Sequence, residues 1–210
     1  MYIWNPHKRL NEVDEFLTST TVSKQMAECI PFSGHFAVLD PGANTGRIGE
    51  AVRELFPENV FLVGVDLLSG VPISSVYDVY FDNRNYLEWE NNVLQFDVVI
   101  SNPPYSRPTK DIAEKFVHKS LDMLVPGGYG IFLLRTNFLN SRGRYKRMWR
   151  KGLGLKEVRI LVKRPSFYDE DTREEDHHGT GHTNMHDYSI FIFEKGYRGT
   201  PVISWASDEN

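Results

Sequence analysis

The sequence predicts an α/β fold, with a mostly parallel sheet of seven strands that ends in an antiparallel hairpin. Three observations lead there. Short apolar runs, each fit for a buried strand, recur along the 210 residues and alternate with stretches whose apolar residues return every three or four positions. The last two runs have no helical pattern between them, which argues for an antiparallel return. Polar residues gather at the ends of successive runs, at Asp40, Asp66, Asn85 and Asn102. In an open sheet of this kind, ligands bind beyond the carboxyl ends of the strands, near the point where strand order reverses.

The elements follow in order. Residues 1–33 read as an N-terminal helical segment, with helices over 8–17 and 22–30. Residues 36–40 form the first buried strand, and Pro41-Gly42-Ala43-Asn44-Thr45-Gly46 is a glycine-punctuated turn. A helix over 46–56 carries Ile48, Val52 and Leu55 on one side. Strands are expected over 61–66, 76–81 and 96–101. The helix over 109–124 has a core-facing stripe of Ile112, Phe116, Leu121 and Leu124, and Pro126-Gly127-Gly128 stops it. A strand over 130–135, a helix over 142–151 and strands over 157–162 and 188–194 complete the set.

Composition sets bounds. A chain of this length with 40% hydrophobic residues fits one domain with a substantial core and has little room for a separate recognition domain. The single cysteine, Cys29, excludes an internal disulfide framework, suits a reducing cytoplasm and is expected in core packing. The first ten residues hold no apolar signal core, and no run is long enough to span a bilayer, so a cytoplasmic protein without a membrane partner is expected. A net charge of −4 does not advertise a nucleic-acid binder, but its distribution is uneven. Ten basic residues lie between Thr136 and Pro165, and residues 169–176 are strongly acidic.

Asn102-Pro103-Pro104-Tyr105 directly follows a buried strand and offers uncommon chemistry. An exocyclic amine on a base or amide has its lone pair delocalised, so it is a poor nucleophile until acceptors hold its hydrogens. Asn102 supplies one neutral carbonyl acceptor. The backbone carbonyl of Pro103 can supply a second, because successive prolines restrict the backbone to extended geometry. Tyr105 offers a flat face for a base. A loop that merely holds two prolines is the plain alternative. The turn at 40–46 reads Asp-x-Gly-x-x-x-Gly rather than the Gly-x-Gly-x-x-Gly of dinucleotide sites. Its helix N-terminus therefore fits a carboxylate better than a pyrophosphate. Asp66 alone would pass for a cap or turn residue. One βαβ unit beyond the glycine turn, it is placed to hydrogen-bond both hydroxyls of a ribose.

Together these residues resemble the class I S-adenosylmethionine-dependent methyltransferases, and within them the amino-methyltransferases that modify adenine N6 in DNA, especially the compact phage-type enzymes. The resemblance covers most of residues 34–196. It continues through Phe-Leu-Leu-Arg-Thr-Asn-Phe-Leu at 132–139, Arg-Pro-Ser-Phe at 164–167 and Asp-Tyr-Ser-Ile-Phe at 187–191. It implies a Rossmann-like methyltransferase fold, S-adenosylmethionine as cofactor, and methyl transfer to adenine N6 in DNA from a base extruded into the pocket of Asn102 and Tyr105. It assigns Asp40, Pro41, Gly42, Ala43, Asn44, Thr45 and Gly46 to the methionine end of the cofactor and Asp66 to its ribose, with Leu67, Tyr86 and Asn102 as further cofactor-binding candidates. Asn102 with Pro103, Pro104 and Tyr105 takes the target amine. Two departures are plain. The family's Asp-Phe-Leu-like step reads Asn85-Tyr86-Leu87 here, with Asp82 close by as another acceptor for the cofactor's adenine; its upstream Thr-Pro or Phe-Pro reads Thr20-Thr21-Val22.

DNA is the expected partner and RNA a further one, with residues 137–186 as the candidate contact region. Arg142, Arg144 and Arg147 are candidates to hold phosphates, with Tyr145 or Trp149 beside a base; a solvated helix face with Met148 and Trp149 turned inward is the plain alternative. The same chemistry fits RNA adenine, cytosine N4 or a protein glutamine amide, and a non-catalytic nucleic-acid-binding subunit is a rival from another class. His177, His178, His182 and His186 crowd one polar segment, but Gly179 and Gly181 break a helix there and methyl transfer needs no metal, so no metal site is expected. Oligomeric state is not legible.

Overall fold

A computed structural model describes residues 17–69, 75–91, 94–105, 108–165 and 186–207. The first helix, α1 (Thr20–Ala27), is capped by Ser19, whose hydroxyl accepts the Val22 N–H. It is followed by β1 (Phe36–Pro41), α2 (Arg47–Leu55), β2 (Val60–Val65), β3 (Val79–Phe81) and β4 (Phe96–Ser101). Then come α3 (Ile112–Met123), β5 (Leu124–Arg135), a 3-10 turn (Thr136–Leu139), α4 (Arg142–Arg147) and a second 3-10 turn (Trp149–Lys151). The strands β6 (Leu155–Leu161), β7 (Tyr188–Glu194) and β8 (Val202–Ala206) close the order.

One sheet joins all eight strands in the order β3-β2-β1-β4-β5-β7-β6-β8. β1 to β5 pair in parallel, β7 runs antiparallel between β5 and β6, and β8 adds parallel to β6. Strand order therefore reverses between β1 and β4. Val38, Leu39, Val98, Val99 and Ile100 there have no exposed surface, as expected of central parallel strands covered on both faces. The α1 helix packs on α2, and α3 lies over β4 and β5.

The structure bears out the α/β class with its antiparallel pair and adds an eighth strand, β8, that the sequence pattern does not reveal. Residues 126–128 are part of β5 rather than a stop after a helix. Leu124 already pairs with Phe96, and the ladder shifts register between Phe96 and Val98. A Cβ on Gly128 would lie 3.0 Å from the Asp97 and Val125 carbonyl oxygens, so only glycine lets the strands approach there. The helix expected over 142–151 divides into α4 and the second 3-10 turn. The helix expected over 8–17 lies outside the described residues apart from Leu17, as do residues 166–167, the acidic stretch 169–176, and His177, His178 and His182. No helix among the described residues is long and apolar enough to cross a membrane.

Candidate active site

The parallel sheet brings the carboxyl ends of β1, β2, β4 and β5 to one side, and the polar residues met in the sequence collect there. Asp40, at the end of β1, has no exposed surface. Beyond it the turn takes left-handed backbone at Gly42 (φ 80°), Asn44 (φ 47°) and Gly46 (φ 88°). Gly42 is the position where this freedom matters most: a Cβ there would point across to the Asn102 carbonyl oxygen, 4.0 Å away, into the gap between the two motifs.

The turn is tied to the end of β2. The Gly42 N–H donates to the Val65 carbonyl at 2.8 Å, and the Asn44 N–H donates to Asp66 Oδ2 at 2.7 Å. Asp66 Oδ1 accepts the Leu68 N–H at 2.7 Å. Burial raises the Asp66 carboxyl above the ordinary range, although the N–H groups of Leu68, Asn44 and Leu67 favour its anion. Burial also pushes Asp40 up to about 7; the Tyr77 hydroxyl, donating to Oδ2 at 2.7 Å, works against that shift and the Asp66 charge adds to it.

Tyr77 is a residue that motif reasoning missed. It precedes β3 and wedges its ring between α2 and β2, so that a Cβ on Gly49 or Gly64 would come within 3.0 Å of it. The only sequence signal is the aromatic pair Tyr77 and Tyr80 ahead of a short strand. Thr18 was also missed, because nothing in the chain marks a residue 84 positions from its partner: the Asn102 side-chain nitrogen donates to Thr18 Oγ1 at 3.1 Å.

At the end of β4, Ser101 donates its hydroxyl to the Pro41 carbonyl and so clamps the two motifs across the reversal point. The Tyr105 hydroxyl donates to Asn102 Oδ1. Thr18 and Tyr105 both offer hydroxyls, which donate or accept, so the Asn102 amide is held at both ends. Tyr105 itself is only 8% exposed, flanked by the Tyr188 ring at 5.4 Å and by the Arg135 guanidinium 5.3 Å from its centroid. The flat face expected there is covered in this state.

The segment that holds Asp82 and Asn85 is tied to the end of β2, where the Arg84 N–H donates to the Asp66 carbonyl at 2.7 Å. Asn85 opens a turn, accepting the Leu87 N–H at 3.1 Å on its side-chain oxygen, while Asp82 is exposed and Leu67 half-buried. Tyr86 is a core residue: its hydroxyl meets Ser120 Oγ at 3.0 Å and its ring packs on Phe116 at 4.9 Å. On α4, Arg147 grips Glu114 of α3 through two nitrogens, one at 2.8 Å. Arg144 lies over the Phe138 ring at 3.9 Å and donates to the Phe138 carbonyl at 2.6 Å. Arg142 is exposed. Met148 is fully buried and Trp149 stacks on Phe193, so these two do turn inward.

The model of the methyltransferase small-domain family matches residues 20–158, more than half of the chain. The chain belongs to that family. No curated protein matches this methyltransferase in sequence. Similar solved structures include a protein of Listeria monocytogenes assigned to the class I S-adenosylmethionine-dependent methyltransferases, with a TM-score of 0.69 at 18% identity over 96% of this chain and 68% of that one. The methyltransferase subunit of a type I restriction-modification system from Streptococcus thermophilus superposes with a TM-score of 0.70 at 17% identity, over 95% of this chain and 49% of that one. This methyltransferase thus spans about half the length of that subunit. A protein of Pyrococcus horikoshii assigned as an RNA methyltransferase gives a TM-score of 0.66 at 14% identity, with 92% of both chains covered.

S-adenosylmethionine is the cofactor of this family and fold, and the glycine turn fits it. Asp40 Oδ1, Asn44 Oδ1 and Thr45 Oγ1 are buried without a hydrogen-bond partner among the described residues. Buried acceptors are costly when unsatisfied, and three on one turn beside an open Gly42 mark a place where a polar ligand completes the hydrogen bonding.

Proposed function

We propose that this methyltransferase modifies the exocyclic N6 amine of adenine in DNA. The observation that carries the proposal is Asn102, whose amide is held by Thr18 and Tyr105 and whose backbone carbonyl faces Gly42 of the glycine turn. An amide oxygen accepts two hydrogen bonds, so the Tyr105 hydroxyl does not bar an amine hydrogen from Oδ1. The Pro103 carbonyl takes the second hydrogen, and the two acceptors together localise the nitrogen lone pair. In the same reading Asp40, Asn44 and Thr45 hold the methionine end of the cofactor, Asp66 its ribose, and Asn85 or Asp82 its adenine. Bound S-adenosylmethionine supplies a methyl group activated on a sulfonium. No strong base is required, and positioning accounts for most of the rate.

DNA as the substrate draws support from the type I modification subunit of Streptococcus thermophilus, whose fold this chain shares. RNA adenine is the second reading, favoured by the mutual 92% coverage with the Pyrococcus horikoshii protein. Radiolabelled methyl transfer to DNA, RNA and protein pools, run side by side, tests both. Label in DNA, recovered as N6-methyladenine, is expected; label confined to RNA or protein overturns the DNA assignment.

A further inference from the structure

We propose that Arg135 anchors the target nucleotide through its backbone phosphate, and that its guanidinium holds the base's place on Tyr105 until substrate enters. The inference rests on the nucleic-acid reading above. Arg135 is the last residue of β5, paired with Tyr188 across the antiparallel ladder and one strand away from Asn102. Its guanidinium lies 5.3 Å from the centroid of the Tyr105 ring, the surface on which a base would stack.

The rest of its surroundings point the same way. Arg53, Arg147, Arg159 and Arg164 each meet a carboxylate, at Asp78, Glu114, Glu157 and Asp187. Arg135 pairs with none among the described residues, and its Nε is buried without a hydrogen-bond acceptor. A guanidinium has donors only, in a planar fork that matches two oxygens of a phosphate. A buried donor of this kind beside Tyr105 calls for an acceptor that the described residues do not supply. Next to it, burial and then the Arg135 charge lower the titration of His186, against the opposing Asp187 charge. Entry of a base onto Tyr105 displaces the guanidinium, and the phosphate that arrives with the base receives it. Stacking and phosphate capture become one event.

The test uses duplex oligonucleotides containing the methylated site, each with one uncharged methylphosphonate near the target adenine. In the parent enzyme, one position is expected to raise KM about tenfold. Arg135→Ala should show that rise on unmodified duplex, lose nothing further on the methylphosphonate, and flatten the salt dependence of binding by about one unit. Cofactor affinity and melting temperature should match the parent. Arg135→Lys, which keeps the charge without the fork, should fall between them and covers the case in which the alanine variant fails to fold. Parent-like KM and salt slope in Arg135→Ala, or a methylphosphonate effect that persists in either variant at parental size, overturns the assignment while leaving the DNA reading intact. A parent enzyme that methylates no oligonucleotide removes both.

Discussion

At the scale of single residues, the buried carboxyls at the ends of β1 and β2 give two predictions. Asp40 is lifted from its ordinary 3.8 to about 7, so between those values the folded protein keeps a proton that the unfolded chain has released. Stability therefore falls as pH rises through that window, with a slope approaching about 1.4 kcal/mol per pH unit, and the loss is complete above it. Urea unfolding from pH 4 to 8 should show this slope in the parent and a reduced one in Asp40→Asn; parallel curves would contradict it. Because the Asp66 charge adds to the Asp40 shift, the difference reports Asp40 together with that coupling. Asp66→Ala removes the acceptor of the Asn44 N–H and, in the proposed function, of the ribose hydroxyls. Calorimetry with the demethylated cofactor should show affinity lower by about tenfold or more, as expected for the loss of a charged acceptor worth about 1.5–3 kcal/mol. An unchanged dissociation constant would take Asp66 out of the site. Asp40, Asp66 and Asn102 were legible because each ends a recognisable strand. Tyr77, Thr18 and Arg135 were not, because their roles depend on which strands become neighbours.

At the scale of elements, α4 is where the sequence divides least cleanly between structure and binding. The run Arg142 to Arg147 reads as a basic patch, yet Glu114 of α3 is only 5% exposed, and Arg147, with the Arg144 charge close by, holds its carboxyl below the usual range. Two arginines thus fasten α4 to α3, a link between elements that local charge counting cannot foresee. Glu114→Gln should lower stability by about 1–2 kcal/mol, a partly buried pair with one exposed partner. The contribution is present above the ordinary glutamate range and lost as pH falls through the lowered value, so parent and variant should converge in acid; chemical unfolding at pH 7 and pH 3 checks both statements. Arg142 and Lys146 face solvent, and in the proposed function they are the residues of this helix that would meet phosphates. Arg142→Ala with Lys146→Ala should reduce the salt slope of DNA binding by about one unit for each phosphate no longer held, with unchanged melting temperature. Equal slopes would leave α4 a structural element only.

At the scale of the whole molecule, the alternation of apolar runs and helical spacing was enough to place Asp40 and Asn102 on either side of the strand-order reversal, where the sheet brings them together. The strand β8 was beyond reach. Its five residues, Val-Ile-Ser-Trp-Ala, show no regular alternation, and Val202, Ile203 and Trp205 stay more than half exposed at the sheet edge. Its partner β6 lies more than forty residues earlier, across an intervening strand. The start of β5 was hidden for a different reason, since Pro126-Gly127-Gly128 carries turn chemistry yet serves a register shift in the ladder. Across the sheet, in the proposed function, the ends of β1, β2 and β4 form one methyl-transfer site in which Asn102 prepares the amine. The most direct test follows labelled methyl transfer into DNA by the parent and by Asn102→Ala, with cofactor affinity measured for both. The parent should produce N6-methyladenine; Asn102→Ala should bind cofactor equally well and turn over at least about 10²-fold more slowly, as when a preorganised polar partner is removed. Parental rates from Asn102→Ala at equal cofactor affinity would contradict the account.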